Sequence, residues 1–397
     1  MKKIQILFSP KTTSLLLVVF AFISFETSCK KKDPVVPEDS EDISMVYLTG
    51  DNSLIQYTGR IDFSNPEKPA FEYPGVSIKA KFQGPAIDLV LKDYGTGTDQ
   101  TTNYYHILID GNLHQVLEVN DVDTIYPLTS NLSDTEHTIE VIKRTEASVG
   151  KSQFYGFQIR TGKSLLALPS KPTRKVEFIG DSFTCGYGNE VSTSSPNTGF
   201  HSVNENNYSA WGAIVSRNLA AQYHCTAYSG RGLYRNNTAT TTGILPSIYD
   251  RTLPNSASPV WNTNNYIPDV VIIHLGTNDF FPEQWSVPSM VDSTTFVNTY
   301  KTFVSTLRGY YSSAQIICVV PNSLSDNYPA GFRSLGRIKN YIQATVDHHT
   351  GSGDNKVHFF ELNTQTDPYG EDWHPSNATH QSMADQITPF IEGIMGW

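Results

Sequence analysis

VEFIGDSFTCGYGN (Val176–Asn189) governs the reading of the C-terminal half of the chain. An apolar run of strand length ends at Gly180, turns at Asp181-Ser182 and enters a stretch of small and glycine residues. A strand buried on both faces delivers polar side chains in this way, at its carboxyl end. Ser182 is then either a nucleophile or an ordinary polar residue in a tight turn. A base, an oxyanion site and a reason to meet substrate must come from elsewhere in the sequence.

Four further runs have the same grammar: HCTAYSG (224–230), DVVIIHLG (269–276), QIICVV (315–320) and VHFFELN (357–363). Between them lie helical spacings. Trp211, Ile214, Val215, Asn218 and Leu219 form one set; Phe296, Val297, Tyr300, Phe303, Val304 and Leu307 form another. Helices are also expected over Leu335–His348 and from His380 to Ile394. Strand and helix in alternation predict an α/β domain over 174–397, with a flavodoxin-like parallel sheet covered on both faces. Its polar segments fall where active sites of such sheets collect. They are Gly180-Asp181-Ser182, then Tyr228–Gly232, then His274–Asp279, and finally Gly370–Ser376 ahead of the last helix.

Together these segments hold a hydroxyl, a carboxylate-imidazole pair, a side-chain amide and exposed backbone N–H groups. A serine hydroxyl is a weak nucleophile until a base takes its proton, and His374 is the candidate base. Asp372 is the candidate for the far imidazole nitrogen. The Ser182 N–H, the Gly232 N–H and the Asn278 amide are the candidate oxyanion donors. Asp181 and Asp279 read as residues that hold their own loops. Trp285 and Trp373 are candidate sugar-stacking platforms. Trp211, on the apolar face of its helix, reads as core. Cys185 is set aside as a nucleophile because the serine explains its surroundings better. Neither His348, His349 nor His358 has metal-ligand spacing, and no CxxC occurs, so no metal site is expected.

The preceding half is written differently. From Val46 to Arg160 apolar and polar residues alternate, as in Ile78, Ala80 and Phe82 against Lys79 and Lys81, and Asp110-Gly111 marks a hairpin. An all-β jelly-roll sandwich is expected over 46–165, joined to the α/β half through ALPSKPT (167–173). With a net charge of −10, nucleic acid is a poor partner.

At the N-terminus Lys2, Lys3 and Lys11 precede Leu15–Ile23, an apolar run too short to span a membrane and suited to a signal peptide. It leads into FETSC, where Cys29 resembles the lipidated cysteine of a bacterial lipobox. The expected organisation is a lipoprotein signal peptide over 1–28 and a flexible tether over 29–45, KKKDPVVPEDSED being polar and proline-containing. The protein is then exported and held to a membrane through Cys29, in the periplasm or at the cell surface, with the outer membrane favoured.

GDS, the isolated glycine block, GTND and the late Asp/His pair resemble the four blocks of the SGNH (GDSL) hydrolases. FIGDSFTCGYGNE, SGRGLYRN, HLGTND and DWHPSNATHQSMA, behind a β-domain opening YTGRIDFSNP, are similar to carbohydrate esterase family 2. That resemblance covers the chain from about Val46 onward. It implies a jelly roll followed by an SGNH domain that removes acetyl groups from plant polysaccharides without a cofactor. It implies Ser182 as nucleophile, Gly232 and Asn278 as oxyanion donors, His374 as base and Asp372 as its partner. In the wider SGNH pattern the acid stands three residues before the base, a position that Glu371 occupies here. Three arrangements stay open: Asp372, Glu371, or a Ser-His dyad helped by a backbone carbonyl. The expected function is an acetylesterase acting on xylan- or mannan-type glycans. The alternatives are a glycan-binding protein without catalysis, and an esterase or transacetylase acting on peptidoglycan or another acyl ester.

Overall fold

The structure, a computed structural model, describes residues 44–281 and 290–397. The signal peptide, Cys29, the tether as far as residue 43 and Trp285 lie outside the described residues, and Met45, expected at the end of the tether, already belongs to the first strand.

The first half is a sandwich of eleven strands among the described residues. They are β1 (Met45–Thr49), β2 (Gln56–Thr58), β3 (Ala70–Phe71), β4 (Ser77–Gln83), β5 (Ile87–Asp93), β6 (Tyr104–Ile109), β7 (Asn112–Glu118), β8 (Ile125–Thr129), β9 (Glu136–Lys143), β10 (Ser152–Arg160) and β11 (Leu165–Leu166). One antiparallel sheet runs β1-β10-β5-β8, with β3 on β10; the other runs β11-β4-β9-β6-β7, with β2 on β4. Alternation decides which faces meet. Ile78, Ala80 and Phe82 of β4 and Ile139 and Val141 of β9 pack against Ile87, Leu89 and Leu91 of β5 and Phe157 of β10. The β6–β7 hairpin turns on Asp110-Gly111, both at positive φ, as a tight two-residue turn requires.

The second half is a five-stranded parallel sheet: β12 (Lys175–Gly180), β13 (Gln222–Ala227), β14 (Val270–His274), β15 (Gln315–Val320) and β16 (Val357–Glu361). The spatial order is β13-β12-β14-β15-β16. The helices are α1 (Ser182–Cys185), α2 (Trp211–Asn218), α3 (Leu245–Ile248), α4 (Thr277–Phe280), α5 (Ser293–Tyr310), α6 (Ser334–Gly351) and α7 (Asn377–Met395). Residues of opposite parity on the strands serve the two faces. Val271, Ile273, Ile316 and Cys318 meet Phe296, Tyr300 and Phe303 of α5 and Ile338 and Ile342 of α6. Val176, Phe178, Ile272 and Ile317 meet Trp211 and Val215 of α2 and Met383 and Ile387 of α7. Helix α7 starts three residues before the expected His380, because Ser376 caps it from outside. Among the described residues no helix is long and apolar enough to cross a membrane.

Glu177 is out of place in a buried strand, and the reason crosses the two halves. Arg60, between β2 and β3, pairs with Glu177 Oε1 at 3.0 Å, both side chains being 1% exposed. Thr226 Oγ1 and Tyr249 Oη donate to the same carboxylate at 2.7 and 2.9 Å. The guanidinium also donates to the carbonyls of Tyr249 and Arg251 and lies over the Tyr249 ring. Removing one partner strands the other charge in the interior, which costs about 3–5 kcal/mol. Arg60→Ala is therefore expected to lower unfolding free energy by roughly that amount in a urea titration. A loss below about 1 kcal/mol would mean that the pair does not fasten the halves.

Candidate active site

Strand β12 has β13 on one side and β14 on the other, so its carboxyl end is the point where connections leave in opposite directions. That crevice is where such sheets bind ligands. Ser182 occupies it as the first residue of α1 and is 5% exposed. Asp181 caps this short helix, its Oδ1 accepting from Phe183 N at 3.1 Å. At the first helical position the Ser182 N–H has no intrahelical acceptor.

His374 reaches Ser182 from the far end of the sequence. Its Nε2 lies 2.8 Å from Ser182 Oγ. Its Nδ1 lies 2.9 Å from the Glu371 carbonyl oxygen. A carbonyl can only accept, so Nδ1 carries the hydrogen and Nε2 presents its lone pair to the serine. Phe183 packs on the imidazole at 5.2 Å, and Tyr187 stacks on it at 4.0 Å with planes 21° apart. Enclosure pushes the imidazole down to about 4, with burial the largest cause and the Glu371 carbonyl and Asp372 opposing it. The arrangement leaves a neutral base on a hydroxyl, which is the starting state for nucleophilic attack through serine.

The expected bond from Asp372 to His374 is absent, and this corrects the sequence reading. Asp372 Oδ1 accepts from Gly199 N at 2.9 Å and Oδ2 from Tyr187 Oη at 2.8 Å. Glu371 does not offer its carboxylate either. That group is buried and committed to His201 N, His201 Nδ1 and Asn204 Nδ2 at 2.9, 2.8 and 2.7 Å. Of the three open arrangements, the geometry holds the dyad with a backbone carbonyl. The cause is local backbone: Asp372 and Trp373 are both left-handed, at φ +47° and +60°. Such residues cost of order 1–3 kcal/mol each and persist only where surroundings hold them. Here Asp372 N donates to Pro196 O at 2.7 Å, Glu371 N to Gly188 O at 3.1 Å and Gln365 Nε2 to Trp373 O at 2.8 Å.

Asn278, on α4, ties the first two segments together. Its Nδ2 donates to Asp181 Oδ2 at 3.2 Å and to Arg231 O at 3.0 Å, beside Ser182 and Gly232 respectively. Asp279 fixes the glycine loop by accepting from Leu233 N, Tyr234 N and Arg235 N at 2.8, 2.8 and 3.0 Å. A Cβ at position 232 would collide with the Arg235 carbonyl, so only glycine fits. The Gly232 N–H rests on Asn236 Oδ1 at 3.2 Å. Both candidate donors thus hold acceptors of their own: Asn236 Oδ1 for Gly232, and Arg231 O and Asp181 Oδ2 for Asn278. Burial pushes Asp181 up to about 7 and Asp279 up to about 6.

Trp373 stands beside His374 at 52% exposure. Trp211 is fully buried, as expected of core. Arg231, unassigned from sequence, lies over the Tyr228 ring at 4.6 Å. Residues that the sequence reading missed are Tyr187, Phe183 and Glu146. Tyr187 had a faint signal, a lone aromatic between two glycines. Glu146 had none: it comes from the β-sandwich and accepts from Ser229 N at 2.8 Å and from Cys185 Sγ at 3.7 Å. Glu146, Cys185 and Glu205 form a buried group close enough to share an ion. Burial raises the thiol well above its ordinary range, which opposes the thiolate that a metal needs. Surface hollows of about 440 Å³ beside α5 and about 600 Å³ between the sandwich, the linker and α2 reach neither Ser182 nor His374.

Comparison with known proteins identifies the family of the chain. Residues 178–382 match the model of the GDSL-like Lipase/Acylhydrolase family, and residues 57–169 match that of the Carbohydrate esterase 2 N-terminal domain. The chain is 39% identical over 349 residues to Cellulase/esterase CelE of Acetivibrio thermocellus, covering 87% of this chain and 40% of that much longer protein. It is 28% identical to an acetylxylan esterase / glucomannan deacetylase of Cellvibrio japonicus, covering 86% of this chain and 89% of the relative. A solved family two carbohydrate esterase from Clostridium thermocellum, in complex with cellohexaose, superposes with a TM-score of 0.78 at 37% identity, covering 86% of this chain and 99% of that one. The chain belongs to the GDSL-like lipase/acylhydrolase family and, within it, to carbohydrate esterase family 2.

Proposed function

We propose that this protein removes O-acetyl groups from a polysaccharide of the xylan or glucomannan class through an acetyl-serine intermediate. The observation that carries the reading is the 2.8 Å contact of His374 Nε2 with Ser182 Oγ, with Nδ1 held by a carbonyl. Ser182 attacks the acetyl carbonyl as His374 takes its proton. The sugar hydroxyl leaves and takes that proton from the imidazolium. Water, activated by the same imidazole, then releases acetate. The Ser182 and Gly232 N–H groups and the Asn278 amide turn to the alkoxide; each such donor is worth about 3–4 kcal/mol of barrier. To do so, Gly232 gives up Asn236 Oδ1, and Asn278 gives up Arg231 O or Asp181 Oδ2. Trp373, exposed beside the base, serves as a platform for the apolar face of a pyranose ring. The names of the relatives support the substrate class, and the steps call for no metal or organic cofactor. The N-terminal residues support export and lipid attachment at Cys29, which would keep the enzyme on a membrane within reach of extracytoplasmic glycans.

Acetate release from acetylated xylan, acetylated glucomannan and a small acetyl ester tests the reading. Wild type should act on the polysaccharides, and Ser182→Ala should lose at least about 10³-fold in kcat. A folded wild type that releases nothing from any of them would sink the acetylesterase. The pH profile follows from the depressed imidazole. His374 must be neutral to act and is neutral above its lowered value of about 4. The acid limb of kcat/KM is therefore expected well below the usual histidine value of about 6.5, with activity kept at pH about 5.5. A limb at about 6.5 would contradict the burial argument. In cells, labelled palmitate should attach to wild type and not to Cys29→Ala; labelling of both would remove Cys29 as the anchor.

A further inference from the structure

The Glu371 carbonyl orients His374 but carries no net charge, so it does little for the imidazolium that forms when Ser182 attacks. Asp372 acts on the imidazole from nearby, but its carboxylate makes no hydrogen bond to the ring. Tyr187 stands between them. Its hydroxyl donates to Asp372 Oδ2 at 2.8 Å, and its ring lies 4.0 Å from the imidazole, nearly parallel to it. We propose that Tyr187 and Asp372 are positioning residues that work as one unit on His374, the phenol held by Asp372 presenting its ring face to the imidazole as it becomes positive.

The inference rests on the Ser182–His374 reading and deepens it. Its physical basis is the negative face of an aromatic ring, which attracts a cation set over it. A phenol that donates to a carboxylate gains electron density, so the pair should act more strongly than the ring alone. The backbone is arranged for this contact. Tyr187 lies between Gly186 and Gly188, both at positive φ, and a Cβ at 188 would collide with Glu371 Cβ. The turn bearing Tyr187 is thereby pressed against the segment bearing the base. Phe200 backs the phenol at 4.6 Å. Burial, followed by the bond to Asp372, raises the phenol far above its ordinary range, so it stays a donor throughout the working pH.

Other groups near the imidazole do not supply the charge. The Glu371 carboxylate is taken up by His201 and Asn204. His380 of α7 and His274 of β14 are held neutral by burial, down to about 3 and about 4. Asp181 lies on the serine side, bound to Phe183 N and Asn278.

The test compares wild type, Tyr187→Phe, Asp372→Asn, the double variant and Tyr187→Leu. The readouts are kcat and KM for acetyl ester and the titration of ¹³C-labelled histidine, with His374 assigned from its own variant. Tyr187→Phe keeps the stack and loses the bond; Asp372→Asn loses the charge. Each should lower kcat about 5–20-fold with little change in KM, and Tyr187→Leu should cost more, roughly 100-fold. The double variant should be no worse than the poorer single, because both remove the same link. Each single should also shift the His374 titration and the acid limb to lower pH, since the charged ring loses support. Additive losses, or an impaired Asp372→Asn beside an unchanged Tyr187→Phe, would overturn the inference. So would lowered rates with an unmoved His374 titration. The titration decides the matter even if no acetate is released, so failure of the esterase reading and failure of this inference look different.

Discussion

The 2.8 Å hydrogen bond between Ser182 and His374 joins residues 192 positions apart, and the α/β half is organised around it. A single hydrogen bond contributes only about 1 kcal/mol net, far too little to bring two segments together. The geometry has to be imposed from both ends. At the serine end, β12 is flanked by strands on each side and stops at Gly180, and Asp181 caps the turn that follows. At the histidine end, α7 packs its Met383 and Ile387 on the opposite sheet face from α5. Its cap, Ser376, stands two residues beyond the base. What remains is a short turn, residues 370–374, in which the backbone N–H groups and carboxylates of Glu371 and Asp372 are all tied to residues 187–204.

The β-sandwich is part of this scaffold rather than an appendage. Arg144 Nε reaches the Glu205 carbonyl, and Asn207 N donates to the Arg144 carbonyl at 3.0 Å. Glu146 N donates to Glu205 Oε2 at 2.9 Å, while the Glu146 carboxylate receives Ser229 N at the head of the glycine loop. A loop of the sandwich thus holds both the loop that follows Ser182 and the loop that carries Gly232. Glu205 is raised well above the ordinary carboxylate range, chiefly by burial and next by the neighbouring Glu146. The Glu146 N–H thus meets a carboxyl group that burial drives towards its neutral form. With the Arg60–Glu177 pair this contact ties the two halves together.

Much of this was legible, and the exceptions have a common form. The five strands announced themselves by buried apolar runs, and Ser182 and His374 by short motifs at strand and helix ends. Glu177 was legible as part of a strand but not as a buried charge, because Arg60 lies 117 residues away. Glu146 and Tyr187 were hidden for the same reason: their partners are 83 and 185 residues distant. Asp372 is a different case. Its spacing from His374 was plain, but two successive left-handed residues of ordinary type cannot be inferred from Asp-Trp-His. The direction of a side chain two residues from the base depends on that backbone alone.

That strained turn does three things at once. Were Asp372 and Trp373 extended or helical, the Glu371 carbonyl would no longer face the imidazole, because both His374 N and Nδ1 converge on that oxygen. The left-handed pair also carries Asp372 towards Tyr187 and Gly199, and leaves the Trp373 indole in solvent beside the base. A carboxylate bonded directly to His374 would require a different turn, and with it a different place for the indole. The lack of a carboxylate bond to the imidazole and the exposure of the Trp373 side chain are consequences of one backbone geometry. The network around Glu371 holds that geometry against its own conformational cost.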